Sequence, residues 1–284
     1  MHDYQGPGRS VVFSQKAMCA TSHPLAAIAA LDILRAGGNA VDAAVAGAVV
    51  LGLCEPMMAG LGGDVFAMIR SANGGPMIGL NGSGRAPAAL DAARLRSEGL
   101  ASVPLGSAHS VTIPGAVDAF DRLVRDHGRL DLATVLEPAI LHADQGVPVC
   151  HRSAIDWQTF GGRLQGAGRR HYLKDDLPYL PGQIFRSAPQ AEALRLIARE
   201  GRDAFYKGAI MQDMVDTLRA AGGLHTPEDF ATVAASYVEP IRRSYRGHDL
   251  IELPPNGQGA TALMLAQLLS RFDVASLDRH ANRS

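Results

Sequence analysis

The sequence predicts an α+β chain in which helices outnumber strands, and three observations carry that reading. Apolar residues recur every three or four positions in several separate stretches, the spacing of a one-faced helix. Two short apolar runs are each turned back on themselves at glycine, which reads as a pair of β-hairpins. The stretch Ala40–Cys54 is almost entirely Ala, Val, Leu and Gly with Asp42 as its only charge, so a helix there must be covered on nearly its whole circumference.

In chain order, residues 1–10 read as a loose arm, and Met18-Cys19-Ala20-Thr21 as a sheet edge feeding the first helix. That helix occupies residues 22–36, with Ser22 able to cap it, Pro24 suited to its first turn, and Asp32 and Arg35 making a narrow wet stripe. Gly37-Gly38 ends it, and Asn39 can cap the apolar helix that follows, which is too short to span a bilayer. The tract Gly60-Leu61-Gly62-Gly63-Asp64 brings bare backbone close to something, because glycine removes the side chains that would hold it away. Residues 65–69 and 77–80 then flank Ala72-Asn73-Gly74-Gly75 as the first hairpin.

A short amphipathic helix is expected over residues 90–100 and a strand-like piece over 110–113. Pro114-Gly115 opens a helix with Val117, Phe120 and Val124 on one face and Asp118, Asp121, Arg122 and Arg125 on the other, stopped by Gly128. Leu132, Val135, Leu136 and Ile140 continue the helical period, with Pro138 expected to kink it. Residues 160–183 carry seven glycines or prolines and read as loop-rich. Helices follow near 191–200 and 210–221, and Thr226-Pro227-Glu228-Asp229 is a strong helix start. The second hairpin turns at Arg246-Gly247, and residues 259–269 form a last apolar helix.

Composition narrows the function classes. The chain has 284 residues, 47% hydrophobic, and no stretch reads as a linker, so residues 1–284 are taken as a single domain. With 27 basic against 28 acidic residues the net charge of −1 gives no electrostatic footprint for nucleic acid or an anionic membrane. Cys19, Cys54 and Cys150 are odd in number and widely spaced, which suits reduced, mostly buried thiols. None of the ten histidines forms an HExxH or HxxxH pair, so no metal site is predicted. The glycine tract lacks the lysine and hydroxyl of a phosphate loop, and Asn81-Gly82-Ser83-Gly84 is not a nucleophile elbow. Residues 1–16 lack the apolar core of a secretory signal, so a cytoplasmic location is expected, or a periplasmic one if a leader was removed.

Several collinear motifs resemble one family. Asn39-Ala40-Val41-Asp42-Ala43-Ala44-Val45-Ala46, Glu55-Pro56 with Gly60-Leu61-Gly62-Gly63, and Arg85-Ala86-Pro87 resemble the large subunit of the gamma-glutamyltranspeptidases. So do Ser110-Val111-Thr112-Ile113-Pro114-Gly115, Leu136-Glu137-Pro138-Ala139-Ile140, Phe205-Tyr206-Lys207-Gly208, Tyr245-Arg246-Gly247 and Leu253-Pro254-Pro255. The resemblance implies the four-layer αββα sandwich of the amino-terminal-nucleophile hydrolases, with this chain giving the helix-rich large subunit. It implies no cofactor and no catalytic residue in this chain. The nucleophile would be a threonine exposed by self-cleavage of a precursor, on a small subunit joined to this one as a heterodimer or higher oligomer. A free α-amino group beside the hydroxyl then supplies the base that a neutral hydroxyl needs. Thr21 lies in a Thr-Ser-His context far upstream of such a cleavage point and is expected to cap a helix, and Thr261 sits inside the last helix.

The same resemblance points to Arg85 and Ser83 as substrate-binding residues for a small acidic amide or a gamma-glutamyl compound. In the family an arginine two places before the equivalent of Arg85 forks onto the glutamyl α-carboxylate, and that place is Ser83 here. Arg85 either reaches the carboxylate from a shifted backbone or bridges loops structurally. Related members hydrolyse cephalosporin side-chain amides or oxamate. Asp64 stands where the family has glycine and is expected to be held by backbone amides or by solvent.

Overall fold

The computed structural model describes residues 10–276, so the expectations for residues 1–9 and 277–284 lie outside the described residues. Its centre is α2 (Ala40–Cys54), which packs between α1 (Pro24–Arg35) and α5 (Leu132–Gln145). Small residues let these helices approach closely: a Cβ on Gly47 would stand 3.3 Å from the carbonyl oxygen of Ala26. Asn39 caps α2 through a reciprocal box, its Oδ1 accepting from the Val41 and Asp42 amides while Asp42 Oδ2 accepts from the Asn39 amide at 2.8 Å. Asp42 Oδ2 also accepts from the Arg129 amide (2.9 Å), which ties the start of α2 to the turn after α4 (Ala116–His127). Ten of the fifteen residues of α2 are buried.

The first hairpin forms as expected. β1 (Val65–Ile69) and β2 (Ile78–Gly82) pair antiparallel with Val65 opposite Gly82, and β5 (Ser236–Val238) adds a third strand on the far side of β2. The second hairpin, β6 (Ile241–Tyr245) with β7 (His248–Glu252), turns on Arg246 (φ 49°) and Gly247 (φ 79°), the left-handed pair that a two-residue hairpin requires. It packs on α12 (Gly259–Leu269). Behind α5 lies α8 (Ala188–Glu200), followed by α9 (Asp203–Tyr206), α10 (Ala209–Ala220) and the short α11 (Pro227–Ala231), which carries the capping box Thr226–Asp229.

Several expectations are corrected. Ser22 and Thr21 do not cap α1; His23 Nδ1 accepts from the Leu25 amide, and Ser22 Oγ instead donates to Glu55 Oε2 at 2.9 Å. Residues 18–21 and 110–113 form no strand among the described residues; Ala108–Ser110 is one turn of 3₁₀ helix. The helix expected over 90–100 is only α3 (Ala92–Ser97), with no buried residue to extend it. Pro138 lies inside α5 where the sequence places it, and the helix continues past it to Gln145.

Asp118, read as part of a wet face, is buried: it accepts from the Ala235 amide at 2.6 Å and pairs with Arg202, whose Nη2 donates to Val233 O (2.8 Å). Its partners come from 84 and 117 residues away, which local periodicity does not register. Residues 160–183 are not merely loop. Helix α6 (His151–Phe160) brings Trp157 to a fully buried position where its indole N–H donates to Tyr172 O (2.6 Å), at the end of α7 (Gly166–Tyr172). The rings of Tyr179 and Phe185 lie 5.4 Å from it, and Phe185 belongs to the two-residue ribbon of β3 (Val147–Pro148) and β4 (Ile184–Phe185). Cys54 is buried, Cys19 and Cys150 partly so, and all three are free thiols.

Candidate functional site

The crossing that follows α2 is fixed from below and bare above. Gly52 gives it room, since a Cβ there would come within 3.2 Å of Gly60 Cα. Gly63 O accepts from the amides of Gly115 and Ala116, both at 3.0 Å, which fastens the crossing to the first turn of α4. Asp64 then reaches across, its Oδ1 accepting from the Gly84 amide at 2.9 Å.

The segment carrying Ser83 and Arg85 is clamped against residues 113–115. A Cβ on Gly84 would fall 1.5 Å from Ile113 O, and one on Gly115 only 2.2 Å from Gly82 O, so both positions demand glycine. The Ile113 amide donates to Arg85 O (2.9 Å) and closes the clamp. Three residues further on, the Ala88 amide donates to Asp229 Oδ1 (2.9 Å), anchoring the segment to α11. Burial opposes ionisation of Asp229, but the Ala88 and Thr226 donors outweigh it and hold the carboxyl below its ordinary value.

Ser83 is held on two sides. Its amide donates to Asn81 Oδ1 (2.9 Å), and its hydroxyl meets Asn256, whose Nδ2 lies 3.0 Å and Oδ1 3.2 Å away. Asn256 Oδ1 also accepts from Asn81 Nδ2 at 2.9 Å. Asn256 is absent from the sequence-based site, yet the turn Pro254-Pro255-Asn256-Gly257 between a hairpin and an apolar helix is a place where a loop side chain can be presented.

Arg85 differs from its neighbours. It is exposed, and its guanidinium has no hydrogen bond or ion pair among the described residues. Five N–H donors in a planar fork are therefore free to take a carboxylate. Neither threonine considered as a nucleophile is poised for that task. Thr21 is exposed, and Thr261 Oγ1 donates to Oε1 of Gln258 (3.0 Å), the residue that precedes its own helix.

Residues 26–283 match the family described as Gamma-glutamyltranspeptidase. A glutathione hydrolase-like proenzyme of Bacillus subtilis is 35% identical over 94% of this chain and 51% of its own length. An acylase proenzyme of a Pseudomonas strain is 34% identical, over 92% of this chain and 49% of its own. The chain thus spans about half the length of the curated relatives it matches. Among solved structures, the gamma-glutamyltranspeptidase of Helicobacter pylori superposes with a TM-score of 0.87 at 26% identity, covering 96% of this chain and 80% of that one.

Proposed function

The chain belongs to the gamma-glutamyltranspeptidase family and has the αββα fold of the amino-terminal-nucleophile hydrolases, and from that premise we propose that it forms the large-subunit part of an enzyme that cleaves an amide bond through a threonyl acyl-enzyme. The threonine, whose own α-amino group serves as base, belongs to the part of the protein that these residues do not include. Two facts support this division. The curated relatives are proenzymes of which the chain covers about half, whereas it covers 80% of the solved Helicobacter chain. Apolar side chains of β1 and α12, Phe66, Met68, Met264 and Leu268 among them, also stand exposed where a partner would cover them. The enzyme so assembled transfers the acyl group of a gamma-glutamyl compound, such as glutathione, to water or an amine.

Arg85 is the carboxylate-binding residue of this reading, and its unengaged guanidinium is the observation that carries it. Two neighbouring positions are fixed, Ser83 by Asn256 and Gly84 by Asp64, while the charged side chain beside them is left free. Ser83 adds one weaker hydrogen bond to the same ligand. The test is expression of the complete gene, with self-cleavage into two polypeptides read on a denaturing gel. Turnover is then measured on a gamma-glutamyl anilide, an oxamate-like amide and a neutral acyl analogue. Arg85→Lys is expected to lower kcat/KM on the acidic amides about ten- to a hundredfold, because a point charge cannot replace a fork. Unchanged turnover in Arg85→Ala would remove the carboxylate-binding role, and a protein that neither cleaves itself nor hydrolyses any amide would leave a scaffold with the same fold.

A further inference from the structure

A cavity of about 700 Å³ lies against the glycine crossing, walled by residues 56–63 and by the ends of α7 and α8. That size is in the range of small-molecule sites. No Asp, Glu, Lys or Arg lines it. Met57, Met58 and Tyr172 provide apolar wall, and Met suits a wall that must adapt to more than one shape. Its polar groups are neutral: Ser187, 1% exposed, sets its Oγ 3.0 Å from His171 Nε2 and accepts from the Gln190 amide. Burial lowers the pKa of the His171 imidazole below its ordinary value, so the ring stays uncharged at neutral pH.

Gly62 on the cavity wall shows that the empty space is not forced by the backbone. Its φ lies outside the left-handed region, and a Cβ built on it meets nothing within 4 Å. Gly168 on the opposite wall, inside α7, is the same. Neither chain conformation nor a close neighbour demands glycine at these two positions, in contrast to Gly84 and Gly115; what the missing side chains leave is volume. A smaller hollow of about 180 Å³ shares Met58, Gly60 and Gly63 with this cavity and is also bordered by Asp64, whose Oδ1 accepts from the Gly84 amide next to Arg85.

We propose that this cavity binds a neutral, largely apolar group on the amine side of the scissile amide, while Arg85 holds the carboxylate on the acyl side. A carboxylate or ammonium entering the cavity would lose hydration without meeting a counter-charge, whereas the aryl or alkyl group of a neutral amide fits its walls, with Ser187, His171 and Gln190 as hydrogen-bonding partners for its polar atoms. The assignment of sides rests on the amide-cleaving reading; the binding itself does not.

The experiment uses the complete protein and two readouts. First, binding of 2-acetamidonaphthalene, a neutral fluorescent aryl amide, is titrated by fluorescence against wild type, Gly62→Leu and Gly168→Leu. Wild type is expected to bind, and each variant that keeps the wild-type melting temperature to bind at least tenfold more weakly; two variants on opposite walls guard against one failing to fold. Absence of binding by wild type, or equal binding by the variants, overturns the cavity as a site. Second, kcat/KM is compared for one carboxylate-bearing acyl group carried as its naphthylamide and as its primary amide. The ratio is expected to fall at least tenfold in Gly62→Leu, and an unchanged ratio overturns the assignment to the amine side. If no amide is turned over at all, the amide-cleaving reading fails, and the probe titration still decides the cavity.

Discussion

Helices α2 and α12 carry nearly the same sequence signature and meet opposite fates. Both are built from small and branched apolar residues, with one charge in the first and none in the second. Yet α2 buries ten of its fifteen residues and α12 three of eleven, leaving Met264, Leu265 and Leu268 more than half exposed. An apolar circumference states that a helix wants cover; it does not state which chain supplies it. Helix α2 finds its cover in α1, α4 and α5, and its cap box and Asp42 lock its start to the turn after α4. Among the described residues, helix α12 rests one side on the hairpin β6–β7.

The largest effect that can break this comparison comes from placing a charge on each helix. Val50→Asp buries a carboxylate with no partner among apolar neighbours and is expected to cost about 4 kcal/mol or more, enough to unfold a marginal domain. Leu268→Asp is expected to stay within about 0.5 kcal/mol in residues 1–284 alone, since the side chain already meets water. In the complete protein the second substitution should weaken assembly, read by size-exclusion chromatography of the two polypeptides. Equal urea midpoints for the two variants of the isolated chain would mean that α12 is not the open helix described here. The same exposed faces lead to the expectation that residues 1–284 alone associate non-specifically and hydrolyse no amide.

How much was legible follows from the range of the interactions involved. Elements whose signals are local were read from sequence at nearly their observed bounds: the Asn39 cap, the turn at Arg246-Gly247, the helix start at Thr226 and both apolar helices. What escaped depends on distant partners. Asp118 reads as solvent-facing until Arg202 and the Ala235 amide are brought to it, and residues 160–183 read as loop until Trp157 supplies a core for them. At the candidate site, Ser83 and Arg85 came from a motif resemblance, while Asn256 was passed over because its partners lie 173 and 175 residues away. The missing strand at 18–21 fits the same account, since a strand exists only with a neighbour to pair with.

Trp157 sharpens the contrast on the closed side. Truncation to Ala removes a fully buried indole ringed by Tyr179 and Phe185 and leaves Tyr172 O without its donor, so a loss of about 3 to 5 kcal/mol is expected by denaturant melting. A loss below about 1 kcal/mol would show the 160–183 region to be as loose as its glycines suggest. A smaller effect is expected at Asp229, which closes the α11 capping box and holds the Ala88 amide. Asp229→Ala should cost about 1 kcal/mol, the worth of a helix cap, and should speed hydrogen exchange at Ala88. Protection at Ala88 unchanged from wild type would mean that the clamp on residues 113–115 alone fixes the Arg85 segment.

The smallest effect is a pH dependence on the covered side, at His23. Burial is the main cause of its lowered pKa; Glu55 opposes the shift and His142 adds to it, and its Nε2 has no partner among the described residues. A group that holds protons less tightly when folded than when unfolded stabilises the fold above its unfolded pKa and loses that contribution as pH falls from there toward the folded value. Stability should therefore decline as the pH drops below about 6.5, the ordinary imidazole value, and His142 and His171, shifted the same way by burial, should act in the same sense. His23→Asn separates the titration from the cap, because asparagine supplies an equally good acceptor for the Leu25 amide but carries no proton equilibrium. The variant should match wild type in melting temperature at pH 8 and lose less than wild type between pH 7 and 5.5. Parallel melting curves across that range would show that His23 protonates freely in the folded chain, and that the start of α1 is as open to water as the exposed face of α12.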